Sequence, residues 1–177
     1  MTNLLLPLLE KSPSARIVTV SSESYRQAGQ PLLDDIELER NYSLVRAYAY
    51  SKLYVWWLMC RFDARLKAKG IGNVTVNTVE PGSAVTGLQR ESLRKSPFML
   101  PLVLLWMPFM RTARHGARTS IYLASSPEVE GVSGQFWGNR RPKRINPKWV
   151  SPDGERRIWD YCARVCEPYL NQADSAS

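Results

Sequence analysis

Apolar residues recur along this chain with two different spacings. In "ARIVTVSS" (15–22) and "NVTVNTVEPG" (73–82), β-branched residues gather in short runs that read as buried strands, the second closing in a turn. "VSGQFW" (132–137) reads as a third short strand. Between them the spacing lengthens to that of helices. Residues 3–11 read as the end of a Leu-rich helix, and 44–69 as a long helix stopped by Gly70 and Gly72. Residues 112–126 form a further predicted helix, with Pro127 just beyond its end. The last helix spans 151–170, with Ser151 as N-cap and Pro152 at its first position. The polar stretch 23–43, which holds Gly29, Pro31 and several acids, reads as a loop with about one turn of helix.

Strands that alternate with helices predict a single α/β domain over 1–177, with a parallel sheet covered on both faces. In such sheets ligands bind beyond the carboxyl ends of the strands. "VSS" and "EPG" sit at two of those ends, and the long helix begins between them, so Ser21, Ser22, Tyr48 and Pro81-Gly82 are expected on one rim. The helix itself carries "AYAYSKLYVWW" (47–57). Residues four apart share a helix face, so Tyr48 points with Lys52, and Tyr50 with Tyr54. One tyrosine thus lies beside a cation. Tyr50, Tyr54, Trp56 and Trp57 are expected to pack the core or a partner helix.

Composition narrows the classes. Of 177 residues, 44% are hydrophobic and 23% charged, which excludes a disordered chain. The net charge of +8 favours anionic partners. Much of it lies in "GNRRPKRINPKW" (138–149), which has the look of a nucleic-acid patch but lacks aromatic interleaving. It is taken as a solvated basic loop leading into the C-terminal helix (138–177), and nucleic acid is not an expected partner. Cys60, Cys162 and Cys166 are an odd number, and His115 is the one histidine, so neither a disulfide framework nor a zinc site is expected. Asn73 heads a glycosylation sequon but falls at a buried strand, so it is discounted. A reducing, cytoplasmic setting fits, since "MTNLLLPLLEKS" lacks the basic leader and cleavage site of a secretory signal. "PFMLPLVLLWMPFM" (97–110) is too short to span a bilayer and holds three prolines. It is expected to be a substrate-covering flap. Its flanking Arg94, Lys95, Arg111 and Arg114 make membrane-surface association the alternative.

"RIVTVSS", "AYAYSK" and "TVEPGSAVT", in that order, resemble the short-chain dehydrogenase/reductase family. The family pattern is a Ser after a strand, Tyr-x-x-x-Lys on the next helix, and Pro-Gly-x-x-x-Thr after the next strand. Here these are Ser22, Tyr48 with Lys52, and Pro81-Gly82 with Thr86. The spacing from Ser22 to Tyr48 and the tail "ERRIWDYCARV" resemble the retinol-dehydrogenase-like branch. The resemblance implies a Rossmann-like doubly wound sheet, NAD or NADP as cofactor, and a small lipophilic alcohol or ketone as substrate, of retinoid, steroid or secondary-metabolite kind. The family's Thr-Gly-x-x-x-Gly-x-Gly turn and Asn-Asn-Ala-Gly stretch are not in this sequence. The chain therefore resembles the C-terminal part of such a domain, with the cofactor-binding N-terminal half, roughly 100 residues at ~30 per βα unit, missing.

A phenol with an ordinary pKa of ~10 is a poor base at neutral pH, and a neighbouring ammonium favours its phenolate. The resemblance makes Tyr48 the general acid/base and Ser22 the group that holds the substrate oxygen. Lys52 would be partner to Tyr48 and to the nicotinamide ribose, and Pro81-Gly82 and Thr86 the seat of the carboxamide. Taken singly, each of these residues also reads as a packing, capping, surface or turn residue. A non-catalytic remnant is the alternative, acting as a partner of a complete subunit, with Trp56 and Trp57 on the 44–69 helix supplying a homodimer surface.

Overall fold

The computed structural model describes residues 2–27, 29–82 and 113–174. Thr86 and the apolar segment 97–110 lie outside the described residues. Among the described residues, four helices and four strands follow in the order α1 (Thr2–Leu9), β1 (Ala15–Val20), α2 (Leu44–Ala68), β2 (Val74–Val79), α3 (Ala113–Ser125), β3 (Phe136–Gly138), β4 (Arg141–Pro142) and α4 (Pro152–Asp174). The sheet order is β1-β2-β3-β4. β1 and β2 pair in parallel from Ala15 opposite Val74 to Val20 opposite Val79, and β2 pairs in parallel with β3.

The two faces of β2 are both buried, as expected of a strand covered by helices on each side. Ala15, Ile17, Val74 and Val76 pack with Phe62 and Leu66 of α2, and Leu6 and Leu9 of α1 join them. On the other face, Val18, Val79 and Trp137 meet Leu123 of α3 and Val129. Arg16 reaches across this second face and donates to the carbonyls of Leu123 and Ser126 at the end of α3. Those carbonyls have no partner within the helix, so the guanidinium acts as its C-terminal cap.

Trp56 and Trp57 turn inward and not toward the surface. They are 6% and 2% exposed and belong to this chain's own core. Neighbouring helix positions point about 100° apart, so both can be buried only where a helix is covered over a wide arc. α2 is such a helix. The sheet lies on one side, and α4 with the short 3-10 turns at Glu23–Gln27 and Pro147–Trp149 lies on the other. Trp57 donates its indole N–H to the Trp149 carbonyl at 2.8 Å, and Trp159 of α4 stacks on Phe62.

In the stretch 138–149, Arg140, Arg141, Arg144 and Lys148 are exposed, as in a solvated basic loop, but the stretch is not irregular throughout. β3 turns back through Asn139 and Arg140, both at positive φ, into the antiparallel strand β4. Two consecutive left-handed residues define the tight hairpin turn whose twist matches the strands. Trp149, at the end of the stretch, is buried. Asn73 is likewise engaged, donating to the carbonyls of Glu10 and Ser12.

The α4 N-terminus forms as its sequence predicts, with Ser151 Oγ accepting from the Gly154 N–H at 3.0 Å. Gly154 itself is a close-packing position, because a Cβ there would stand 2.6 Å from Trp57 Cζ3. Gly72 has no neighbour within 4 Å of such a Cβ. Alanine in a helix is worth up to ~1 kcal/mol over glycine, but overpacking a rigid indole costs ~1–3 kcal/mol. Gly154→Ala is therefore expected to lower the unfolding free energy in urea, while Gly72→Ala leaves it within ~1 kcal/mol. A more stable Gly154→Ala chain would show that α4 shifts freely over Trp57.

Candidate active site

Three chain segments converge at the carboxyl ends of β1 and β2. Ser21 leaves β1 and makes the junction. Its N–H donates to the Val79 carbonyl at 2.8 Å. Its hydroxyl, in a side chain that is 2% exposed, donates to the Lys52 carbonyl at 2.8 Å. The backbone of α2 is thus fixed to the strand end at the turn that carries Lys52.

Ser22 follows at the mouth of this junction. Its Oγ accepts from the Ser24 N–H at 3.2 Å, opening the Glu23–Gln27 turn. That turn is anchored by Tyr25, 1% exposed, whose ring meets Trp56, Phe136 and Trp149. An accepting Ser22 Oγ keeps its own proton free to donate elsewhere.

The tyrosines of α2 separate as their spacing predicts. Tyr48 is half-exposed, and Lys52 Nζ lies 5.3 Å from the centre of its ring. Tyr50 is buried and donates to the Gln30 carbonyl at 2.7 Å. Tyr54 packs between Tyr50 and Trp57. Burial pushes the Tyr54 hydroxyl well above the ordinary phenol range, so it stays protonated. Of the three, Tyr48 alone pairs access to solvent with a neighbouring ammonium.

At the end of β2, the Glu80 N–H donates to Trp137 O at 2.8 Å. Glu80 Oε2 accepts from the Gly82 N–H at 2.9 Å, and Gly82 adopts φ 75°. The turn of Pro81-Gly82 is thus held by the carboxylate just before it. Sequence reasoning assigned Glu80, Glu23 and Lys143 no place here. Yet Lys143 Nζ donates to both Glu23 and Glu80. Burial draws the Lys143 pKa down, and the two carboxylates more than offset this, leaving it above the ordinary lysine value. The available signal was the acid adjoining each motif, "SSE" and "EPG", with a basic run downstream.

Ser21 thus joins three segments: the end of β1, just before Ser22, the turn of α2 that carries Lys52 beside Tyr48, and Val79 of β2, two residues before Pro81. Comparison with known proteins places this rim in context. Human retinol dehydrogenase 14 is 40% identical over 161 residues, covering 90% of this chain and 46% of that protein. Human polyprenol dehydrogenase is 34% identical over 171 residues, covering 94% of this chain and 50% of that protein. Among solved structures, an uncharacterized protein from Mycobacterium Paratuberculosis superposes with TM-score 0.67 at 24% identity, over 94% of this chain and 54% of that one. A protein described as a short chain dehydrogenase from Pseudomonas syringae does so with TM-score 0.51 at 25% identity, over 76% of this chain and 44% of that one. No family model matches the chain.

The chain belongs to the short-chain dehydrogenase/reductase family. Retinol dehydrogenases 12, 13 and 14 are among its relatives, and the chain spans about half the length of the curated relatives it matches. No helix among the described residues is long and apolar enough to cross a membrane.

Thiol chemistry has no place on this rim. Burial pushes the Cys60 thiol up to about 12, whereas Cys166 is exposed on α4. At pH 8 a group with so high a pKa is a thiol and not the reactive thiolate. A thiol reagent at that pH is expected to label Cys166 in the folded chain and Cys60 only after denaturation. Equal labelling rates would show that α2 opens in the native state.

Proposed function

We propose that this chain carries the proton-transfer side of an NAD(P)-dependent oxidoreductase site for a lipophilic alcohol or ketone. The observation that carries the reading is the Tyr48–Lys52 pair. Its ammonium lies 5.3 Å from an accessible phenol ring, on the helix turn that Ser21 ties to the strand end. The names of the relatives, retinol and polyprenol dehydrogenases, support a lipophilic alcohol as the substrate class.

In alcohol oxidation Tyr48 would take the hydroxyl proton as general base, and in carbonyl reduction return it as general acid. Lys52 favours the charge that develops on the phenol oxygen. Ser22 would donate its hydroxyl proton to the substrate oxygen, since its Oγ accepts from the Ser24 N–H and leaves that proton uncommitted. A bound nicotinamide supplies or accepts the hydride. The residues present suit one end of that cofactor. The Lys52 ammonium could bond the nicotinamide ribose, and the Pro81-Gly82 turn is already shaped at a positive φ. Thr86, outside the described residues, is proposed for the same seat by its place in the motif. The pyrophosphate end is different. The ten glycines of the sequence nowhere form a glycine-rich turn that opens a helix, the element that offers backbone N–H groups to a diphosphate.

Two outcomes are expected. Titrating the 177-residue chain with NADH or NADPH and following nicotinamide fluorescence should give no saturable binding, and micromolar saturation would overturn the argument from the missing turn. In a catalytically active form of the polypeptide, Tyr48→Phe should lower turnover by ~10²–10⁴-fold with cofactor binding retained. Lys52→Ala should weaken both. Turnover that survives in Tyr48→Phe removes Tyr48 from the mechanism.

A further inference from the structure

Each of two site motifs adjoins a carboxylate, and one distant ammonium takes both. Glu23 directly follows Ser22, and Glu80 directly precedes Pro81-Gly82. Lys143 Nζ donates to Glu23 Oε1 at 2.7 Å and to Glu80 Oε1 at 2.6 Å. The other oxygen of Glu80 holds the Gly82 N–H at 2.9 Å. A continuous polar path therefore runs from the Ser22 turn, through Lys143, to the backbone of Gly82.

The geometry is built by the backbone. Lys143 follows the β3–β4 hairpin, and its own N–H donates to the Phe136 carbonyl at 2.7 Å. Space for its side chain exists because residue 138 is glycine. A Cβ there would stand 2.5 Å from Lys143 Cε and 2.6 Å from Glu80 Oε1. Exposed ion pairs contribute little, but this one is different. The Glu80 and Lys143 side chains are 10% and 27% exposed, and the two carboxylates crowd one nitrogen. Without the cation they would repel across a poorly solvated gap.

We propose that Lys143 is a positioning residue of the candidate site. By bridging Glu23 and Glu80 it fixes the turn that carries Ser22 against the Pro81-Gly82 turn. The consequence for catalysis rests on the oxidoreductase reading above; the clamp does not.

Amide hydrogen exchange followed by NMR on the 177-residue chain tests the clamp without any turnover. Lys143→Met should speed exchange of the Gly82 amide ~10-fold, the loss of a charge-assisted contact. The Thr78 amide, inside β2, should stay unchanged, and Lys143→Arg should restore most of the protection at Gly82. Glu23→Gln, which removes one arm at an accessible position and leaves the core intact, should move Gly82 in the same direction by a smaller factor. Unchanged Gly82 exchange in both Lys143→Met and Glu23→Gln overturns the proposal.

A second arm uses the active form of the polypeptide. Lys143→Met should raise KM for the nicotinamide cofactor ~10-fold while kcat changes by less than ~3-fold, with recovery in Lys143→Arg. Equal losses in every kinetic constant that track a lower Tm would reduce Lys143 to a structural role and overturn its positioning one. If the parent protein shows no turnover, the oxidoreductase reading fails, and the exchange experiment still decides whether the clamp exists.

Discussion

Ser21 is where the strands and the long helix become one object. A buried hydroxyl with no partner would be costly. It finds the Lys52 carbonyl, an unusual acceptor because carbonyls in mid-helix are normally taken by the helix itself. A carbonyl oxygen has two lone pairs, so the second bond costs the helix little. The same residue's N–H continues the β1–β2 ladder onto the Val79 carbonyl. One small side chain thus sets the distance from strand end to helix. The Tyr48–Lys52 pair inherits its position from that distance. A larger residue would push α2 outward, and alanine would remove the hydrogen bond that ties this turn of the helix to the strand end.

Legibility from sequence followed the range of the interaction. The Tyr48–Lys52 juxtaposition depends only on helix pitch, so a four-residue spacing was enough to foresee it. Ser151 and Gly154 form their cap within four residues and were equally readable. β1 and β2 could be recognised by their β-branched runs, although only β2 is buried on both faces and β1 is mostly half-buried. The hairpin after β3 could not. Its turn uses Asn139 and Arg140 at positive φ, and Asn-Arg lacks the glycine by which such turns are usually recognised. The burial of both Trp56 and Trp57 was hidden for another reason. It requires α4 and two short turns to cover α2 from behind the sheet, a tertiary fact with no local signature. The Lys143 clamp joins residues 63 and 120 apart along the chain and was hidden for the same reason.

Charge in this protein is organised by burial, beyond its net sum. The surplus of basic residues suggested an anion-binding surface, but the acids do the internal work. Asp63, 7% exposed, accepts from Ser133 and Lys67 and so joins α2 to the chain leading into β3. Asp35 accepts from the N–H groups of Glu39 and Arg40, closing the loop before α2. Glu80 serves Gly82 and Lys143 together. In each case a carboxylate removed from water is given two or more donors, the condition under which burial of a charge is tolerable. The basic residues left outside are not all idle either. Arg140 lies over Tyr122, and Lys148 over Trp149, so part of the positive stripe is folded onto aromatic rings.

These constraints are unevenly distributed around the rim, and that asymmetry bears on what the site can do. On the β2 side the rim is tied down three times, by the β3 ladder, by Glu80 on Gly82 and by Lys143. On the β1 side the strand pairs only with β2 among the described residues, and Val20 at its end is exposed, as are Leu4, Leu5 and Leu8 of α1. Parallel sheets are ordinarily covered, and an open edge with apolar neighbours is a site for further chain to pair. The two sides therefore differ in kind. Ser22, Tyr48 and Lys52 draw their order from Ser21, from the Tyr25 anchor and from helix pitch, all of which lie within this chain. A proton donor and its electrostatic partner need only that local order. A dinucleotide also needs the backbone N–H donors of a glycine-rich turn at a helix N-terminus. On the oxidoreductase reading proposed above, the proton step is the part of the chemistry that this local order would serve.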